Sequence, residues 1–194
     1  MTKPHLENFI FVDEKINAFK FKNEYLLYNE QGEKIGMIQQ RLSGLEKIRK
    51  LFVSQRLTPF YYEIKNSEEE TIATIKKGWT FWMPKIELQM NNYTIGFIHQ
   101  KFRIIKPQFD IYDELNNQSA KIKGNWTQWQ FEIESDKEQI LGHVSKKWAG
   151  IAKEIFTTAD KYVVEINKEI KDEKKRILVL CSALTIDLIL KEKN

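Results

Sequence analysis

Five stretches of this chain repeat one pattern, and that pattern dictates a long antiparallel sheet whose edges must be hidden. They are Tyr25–Gln39 (YLLYNEQGEKIGMIQ), Tyr62–Lys76 (YEIKNSEEETIATIK), Ile86–Gln100 (IELQMNNYTIGFIHQ), Phe109–Lys123 (FDIYDELNNQSAKIK) and Phe131–Ser145 (FEIESDKEQILGHVS). Each opens with alternating apolar and polar residues, passes a cluster of Asn, Asp, Glu, Gln or Ser, and returns through a second short apolar alternation. Period-two alternation around turn-forming residues predicts a β-hairpin. Five hairpins supply about ten strands, and Phe9–Val12 and Tyr162–Ile166 have the composition of two more. Closing such a sheet into a barrel removes its edges, whereas a sandwich only shortens them. The repeats keep no strict period, which argues against a propeller.

In three hairpins the returning strand carries glycine at the same place: Ile35-Gly36, Ile95-Gly96 and Leu141-Gly142. Tyr62–Lys76 has Ala73 there. A small residue in a strand marks either a close approach by a neighbour or a bulge. Two segments break the alternation. Ser43–Val53 (SGLEKIRKLFV) has helical spacing, with Ser43 and Glu46 placed as a capping box. Trp148–Phe156 (WAGIAKEIF) carries a mixed helix and strand signal.

The run Ile177–Leu190, ILVLCSALTIDLIL, lies within a predicted helix over 172–191. Asp172 and Glu173 suit the positive end of the helix dipole and Lys191 the negative end. Apolar residues surround the axis, so the helix must be enclosed on every side by protein or by lipid. A membrane span needs about 20 apolar residues. This run has 14, with Ser182, Thr185 and Asp187 among them, and an acid inside a bilayer is costly. The helix is therefore expected inside the protein. Ser182 and Thr185 are expected to bond back to carbonyls one turn earlier. Asp187 needs a Lys, Arg, indole, hydroxyl or backbone N–H partner, as an anchor at the barrel mouth or as part of a ligand pocket.

The 194 residues suit one domain, with 12% aromatics to fill a core and a formal charge of +4 that attracts anions weakly. Cys181 is the only cysteine, which excludes an intrachain disulfide and suits a reducing, cytoplasmic setting. No apolar stretch follows a basic head near Met1, so a secretory signal is not expected. His5, His99 and His143 fall in no catalytic motif, and no HExxH, P-loop, GxSxG or paired CxxC occurs. An enzymatic role and a cofactor are therefore not expected, and His99 and His143 read as structural. Cys181 reads as inert packing.

The segment Ser145–Glu192 resembles the C-terminal half of phospholipid scramblases and LURP-one-related proteins. The resemblance rests on Lys147-Trp148 with Gly150, Glu154-Ile155-Phe156-Thr157, Ala159-Asp160 with Tyr162, and Ile186-Asp187. Both groups belong to the tubby C-terminal-like superfamily. The resemblance implies one domain over 1–194, folded as a closed antiparallel barrel of about twelve strands around a central helix. Eukaryotic scramblases are linked to calcium-triggered lipid movement through a loop before the final helix. The corresponding Thr158–Glu169 offers Thr158, Asp160, Tyr162, Ile166 and Glu169 at the ligand positions and no glycine at the sixth, a poor oxygen set for calcium. No metal site is expected. The resemblance also raises scrambling by a membrane-inserted final helix as an alternative to simple lipid binding.

Lys76, Lys77, Trp79, Trp82 and Lys85 lie together between two hairpins. Cations attract anionic head groups and indoles favour the lipid–water boundary. With Asp187 these residues form the candidate site for an anionic phospholipid or a small ligand at the barrel rim. Packing of Trp79 and Trp82 into the rim is the competing account. Peripheral contact with a membrane surface is expected, and nucleic-acid binding is not. A second group, Lys121, Lys123, Trp126 and Trp129 beside Lys146-Lys147-Trp148, reads as a solvated strand face. A scaffold that binds only protein remains the third reading.

Overall fold

Every predicted hairpin is present in the computed structural model, which describes residues 6–15, 23–41, 58–79, 84–101, 108–147 and 161–191. The strands are β1 (Phe9–Lys15), β2 (Glu24–Tyr28), β3 (Lys34–Gln40), β4 (Phe60–Asn66), β5 (Thr71–Lys77) and β6 (Lys85–Met90). They continue as β7 (Tyr93–Lys101), β8 (Gln108–Tyr112), β9 (Gln118–Asn125), β10 (Gln130–Ser135), β11 (Ile140–Ser145) and β12 (Lys161–Ile166). Each pairs antiparallel with its neighbour in sequence, and β1 pairs with both β2 and β12. The sheet is a closed barrel and has no edge, as the hairpin pattern and the resemblance both anticipated. Ser43–Val53, Trp148–Phe156, Trp82 and His5 lie outside the described residues.

The barrel is filled by helix α1 (Glu173–Lys191). Asp172 caps it, its Oδ1 accepting the Lys174 N–H at 2.9 Å. Every residue from Ile177 to Ile189 is buried. Around it stand inward strand residues such as Ile10, Tyr25, Ile64, Leu88, Phe109 and Val164. Ser182 and Thr185 depart from expectation: their hydroxyl oxygens are buried with no hydrogen-bond partner among the described residues.

Four hairpins share one turn. The side-chain oxygens of Asn29, Asn66, Asp113 and Ser135 each accept the N–H groups two and four residues on. The residue three positions on has positive φ: Gly32 79°, Glu69 63°, Asn116 65° and Glu138 60°. The fifth turn, Asn91-Asn92, has φ of 50° and 66°, the mirror-image form that suits a two-residue connection. A register shift follows in each hairpin. The small residues Gly36, Ala73, Gly96, Ala120 and Gly142 face the last residue paired before the shift. Both readings of the glycines therefore hold. A Cβ on Gly142 would lie 2.6 Å from the Glu165 carbonyl oxygen and 2.7 Å from Val179 Cγ1 of α1.

All five turns lie at the end of the barrel where α1 begins, here called the base. The opposite end, where α1 finishes, is the rim. Strands β5, β7 and β11 run towards the rim and β6, β8 and β12 start from it. The outer wall carries many charges, beside an apolar cluster of Phe9, Phe11, Tyr28 and Val163 across β12, β1 and β2. Asp13 pairs with Lys15 at 2.9 Å and Lys161 at 3.7 Å, and Glu63 with Arg41 at 2.8 Å. Asp110 pairs with Lys101, and Glu134 with Lys121 and Lys123. A membrane-spanning barrel needs the reverse, an apolar outer band around a polar interior.

Gly142→Ala is expected to destabilise the fold by about 1–3 kcal/mol through overpacking. Gly78→Ala, where an added Cβ meets nothing within 4 Å, should stay within about 0.5 kcal/mol. Urea denaturation of the two variants checks the contrast. Leu184→Asp, at a position with 0% exposure, should abolish the cooperative melting transition.

Candidate functional site at the barrel rim

Asp187 sits in the last turns of α1, 4% exposed, and accepts a hydrogen bond from the Tyr25 hydroxyl at 3.0 Å. A hydroxyl was among the partners that a buried acid at this position required. Tyr25 faces inward from β2 because alternation puts Leu26 on the other face. Its ring lies 6.4 Å from Tyr62 on β4, whose hydroxyl accepts from Asn23 Nδ2 at 3.2 Å. Phe60 packs edge-on to Tyr62 at 5.6 Å, and the Lys77 ammonium lies 5.0 Å over the Phe60 ring. Asp187 and Lys77 thus stand at two ends of one line of inward-facing aromatic rings.

Burial raises the Tyr25 phenol well above its ordinary pKa, and the Asp187 charge adds to the effect. Tyr162 is raised by the same two causes in the same order. Its hydroxyl is buried without a partner among the described residues.

The rim cations divide by strand alternation. Lys77 points inward at 2% exposure, while Lys76 and Lys85 face outward. Lys76 donates to Gln89 Oε1 at 2.7 Å and lies 5.2 Å over the Tyr61 ring. Lys85 lies 3.8 Å over the Phe97 ring, a cation–π geometry. Trp79 is 49% exposed. The predicted cluster is therefore two arrangements, an outer one of Lys76, Lys85 and Trp79 and an inner one of Lys77 and Asp187.

The second aromatic group is not a solvated face. Trp126 packs 4.8 Å from Phe131, and Trp129 lies 5.5 Å from Phe131 and 5.0 Å from Tyr162. Both lie in the β9–β10 turn and pack partly buried against the core, as large aromatic side chains gain most by burial. Lys146 lies 5.0 Å over the Trp129 ring. Lys161–Ile166 is strand, with Tyr162 inward, so this part of the segment aligned with a calcium loop belongs to the barrel wall.

Sequence reading missed Arg176. It is 1% exposed in the first turns of α1, and its guanidinium donates to the Ile170 carbonyl at 3.0 Å, to Asn8 Oδ1 at 3.0 Å and to the Leu6 carbonyl. Burial lowers its pKa. The one available signal was an arginine directly before the apolar run. His99 stacks on Tyr112 at 4.7 Å on the outer wall, its pKa lowered first by burial and then by Lys85. Burial pushes the Cys181 thiol far up, so the nucleophilic thiolate is inaccessible there.

Tyr25→Phe should cost about 1–3 kcal/mol, because it strips a buried carboxylate of a donor. Tyr162→Phe should be neutral or stabilising in the same urea titration. Both phenols are held protonated in the fold, so the unfolded chain ionises first as pH passes the ordinary value of 10.0. Stability present below that pH falls as pH rises further, and Tyr162→Phe should make the fall shallower.

The family model named Scramblase matches residues 10–193. A phospholipid scramblase family protein of Schizosaccharomyces pombe is 23% identical over 161 residues, covering 76% of this chain and 41% of that protein. Human phospholipid scramblase 2 is 27% identical over 196 residues, covering 93% of this chain and 64% of its own length. The chain thus spans less than two thirds of these relatives. A solved protein structure from Arabidopsis thaliana superposes with a TM-score of 0.51 and 7% identity, covering 91% of each chain. That likeness shows the fold. The match of the family model over nearly the whole length shows that this chain belongs to the Scramblase family, here a twelve-stranded closed barrel around a buried helix.

Proposed function

We propose that the chain is a non-enzymatic module that recognises anionic phospholipid at the barrel rim. The observation that carries this reading is the outer arrangement of Lys76, Lys85 and the half-exposed Trp79. Ammonium groups at this edge meet lipid phosphates, and an indole beside them suits the head-group layer. Trp82 adjoins these residues in sequence and is proposed to take part. Lys77 and Asp187 hold the inner side of the mouth. The relatives' names include phospholipid scramblase, which supports a phospholipid as the ligand class and a membrane surface as the place of action.

Insertion of α1 into the bilayer is the less favoured reading. No helix among the described residues is long and apolar enough to cross a membrane. Leaving the barrel would also expose the apolar wall that α1 covers.

The test is co-sedimentation at low salt with vesicles containing phosphatidylglycerol, cardiolipin or a phosphoinositide. Binding is expected, weakening as salt rises. Each of Lys76→Glu and Lys85→Glu should weaken it by at least about 1 kcal/mol. Failure to pellet with any of these vesicles sinks the proposal, and capture of a protein partner alone would favour a scaffold. Full release of the protein by alkaline carbonate would rule out insertion of α1.

A further inference from the structure

The barrel is electrically polarised along its axis. The four related turns at the base, NEQGE, NSEEE, DELNN and SDKEQ, carry nine acids and one lysine; Lys34 and the cations of residues 168–176 also lie at this end, yet with Glu7, Glu169, Asp172 and Glu173 the acids still outnumber the cations among the described residues there. At the rim the balance reverses. Lys15, Lys76, Lys85, Lys101, Lys146 and Lys161 stand at or beside strand ends there, where Glu14 and Glu24 are the acids in the terminal two residues of the described strands.

Several ion pairs of the wall follow this polarity. Lys15 ends β1 two residues beyond Asp13, and Lys161 begins β12. Lys101 ends β7, while its partner Asp110 lies inside β8. Arg41 follows the end of β3, while Glu63 lies inside β4. Lys15, Lys101 and Arg41 each stand two residues nearer the rim than their acids, while Lys161 is level with Asp13. Lys76, Lys85 and Lys146 are held over aromatic rings, with no carboxylate within ion-pair distance among the described residues. Lys76 and Lys85 lie on the neighbouring strands β5 and β6, and Lys146 follows β11 on the far side of the barrel, so positive charge stands on both sides of the rim.

We infer that the protein docks on an anionic lipid surface end-on, rim down, with its axis across the membrane plane and its acidic base pointing away. This rests on the lipid-binding reading above and adds the orientation. Surface potential falls off within a Debye length, about 8–10 Å at ordinary ionic strength, so it acts on the nearest pole of the barrel. That pole is attracted if it is the rim and repelled if it is the base. A sideways approach brings the set-back acids of the wall as close as their lysines and loses much of the attraction. End-on docking presents the finishing end of α1, with Asp187 and Tyr25, to the lipid. The Arg176 lock at the starting end faces away.

Two single-cysteine variants test the orientation, since Cys181 is fully buried and takes no label. Gln128→Cys lies in the exposed β9–β10 turn at the rim, and Ser67→Cys in an exposed turn at the base. Each carries an environment-sensitive fluorophore and is checked for unchanged melting. Each is then mixed with phosphatidylserine vesicles containing brominated phosphatidylcholine as quencher. The Gln128→Cys label should lose most of its emission on binding and the Ser67→Cys label should keep it. Equal or greater quenching at Ser67→Cys, or pelleting with neither label quenched, overturns end-on docking while lipid binding stands. No pelleting with the vesicles overturns both.

Discussion

The enclosure of α1 is the constraint on which the rest of the structure depends. A helix apolar on every face cannot sit on a surface, and the twelve-stranded sheet cannot close around empty space. Each solves the packing problem of the other. The helix supplies the core side chains that twelve strands of five to nine residues would otherwise have to provide, and the sheet removes the helix from water. The hydrophobic effect drives both at once. Strand alternation then follows, apolar inward and mostly polar outward apart from the cluster around Phe11 and Val163, and leaves no continuous apolar outer band among the described residues.

Polar groups within this core lie at the ends of the helix as well as along it, and the ends are where they are satisfied. Arg176 ties the start of α1 to residues 6 and 8 ahead of β1, joining the two ends of the described chain. Asp187 ties the finish to β2 through Tyr25. Between them, Ser182 and Thr185 lie without partners among the described residues, as does the Tyr162 hydroxyl on the barrel wall. A buried hydroxyl without a partner costs stability. The two locks hold both ends of the helix in the barrel, while the short connection from β12, which finishes at the base, decides which end of α1 reaches the rim.

Much of the architecture was legible in the residues. Period-two alternation located the hairpins, and Asn, Asp and Ser at turn starts marked connections that hold by side-chain bonds to the backbone. The recurrence of small residues was visible at Gly36, Gly96 and Gly142, but Ala120 escaped notice because alanine is common in any strand. The need of Asp187 for a donor followed from burial alone. The identity of that donor did not, since Tyr25 is 162 residues away and no local pattern couples the two. Lys76 and Lys77 looked alike as neighbouring cations. Strand alternation puts the two on opposite faces, and β5 continues to Lys77, paired with Phe60, so that the last residue of the strand still turns to the core.

The sequence by itself determined the strands, their turns, the closed sheet and the enclosed helix. Those properties depend on periodicity and on the free energy of burying apolar surface, both local or additive along the chain. Tertiary structure alone decided what meets what across the barrel: the Tyr25–Asp187 bond, the Arg176 anchor, the seat of Lys77 over Phe60 and the inward packing of Trp126 and Trp129. It also decided that acidic turns gather at one pole and cations at the other. The antiparallel path sends alternate connections to opposite ends, so charges interleaved along the chain become separated in space.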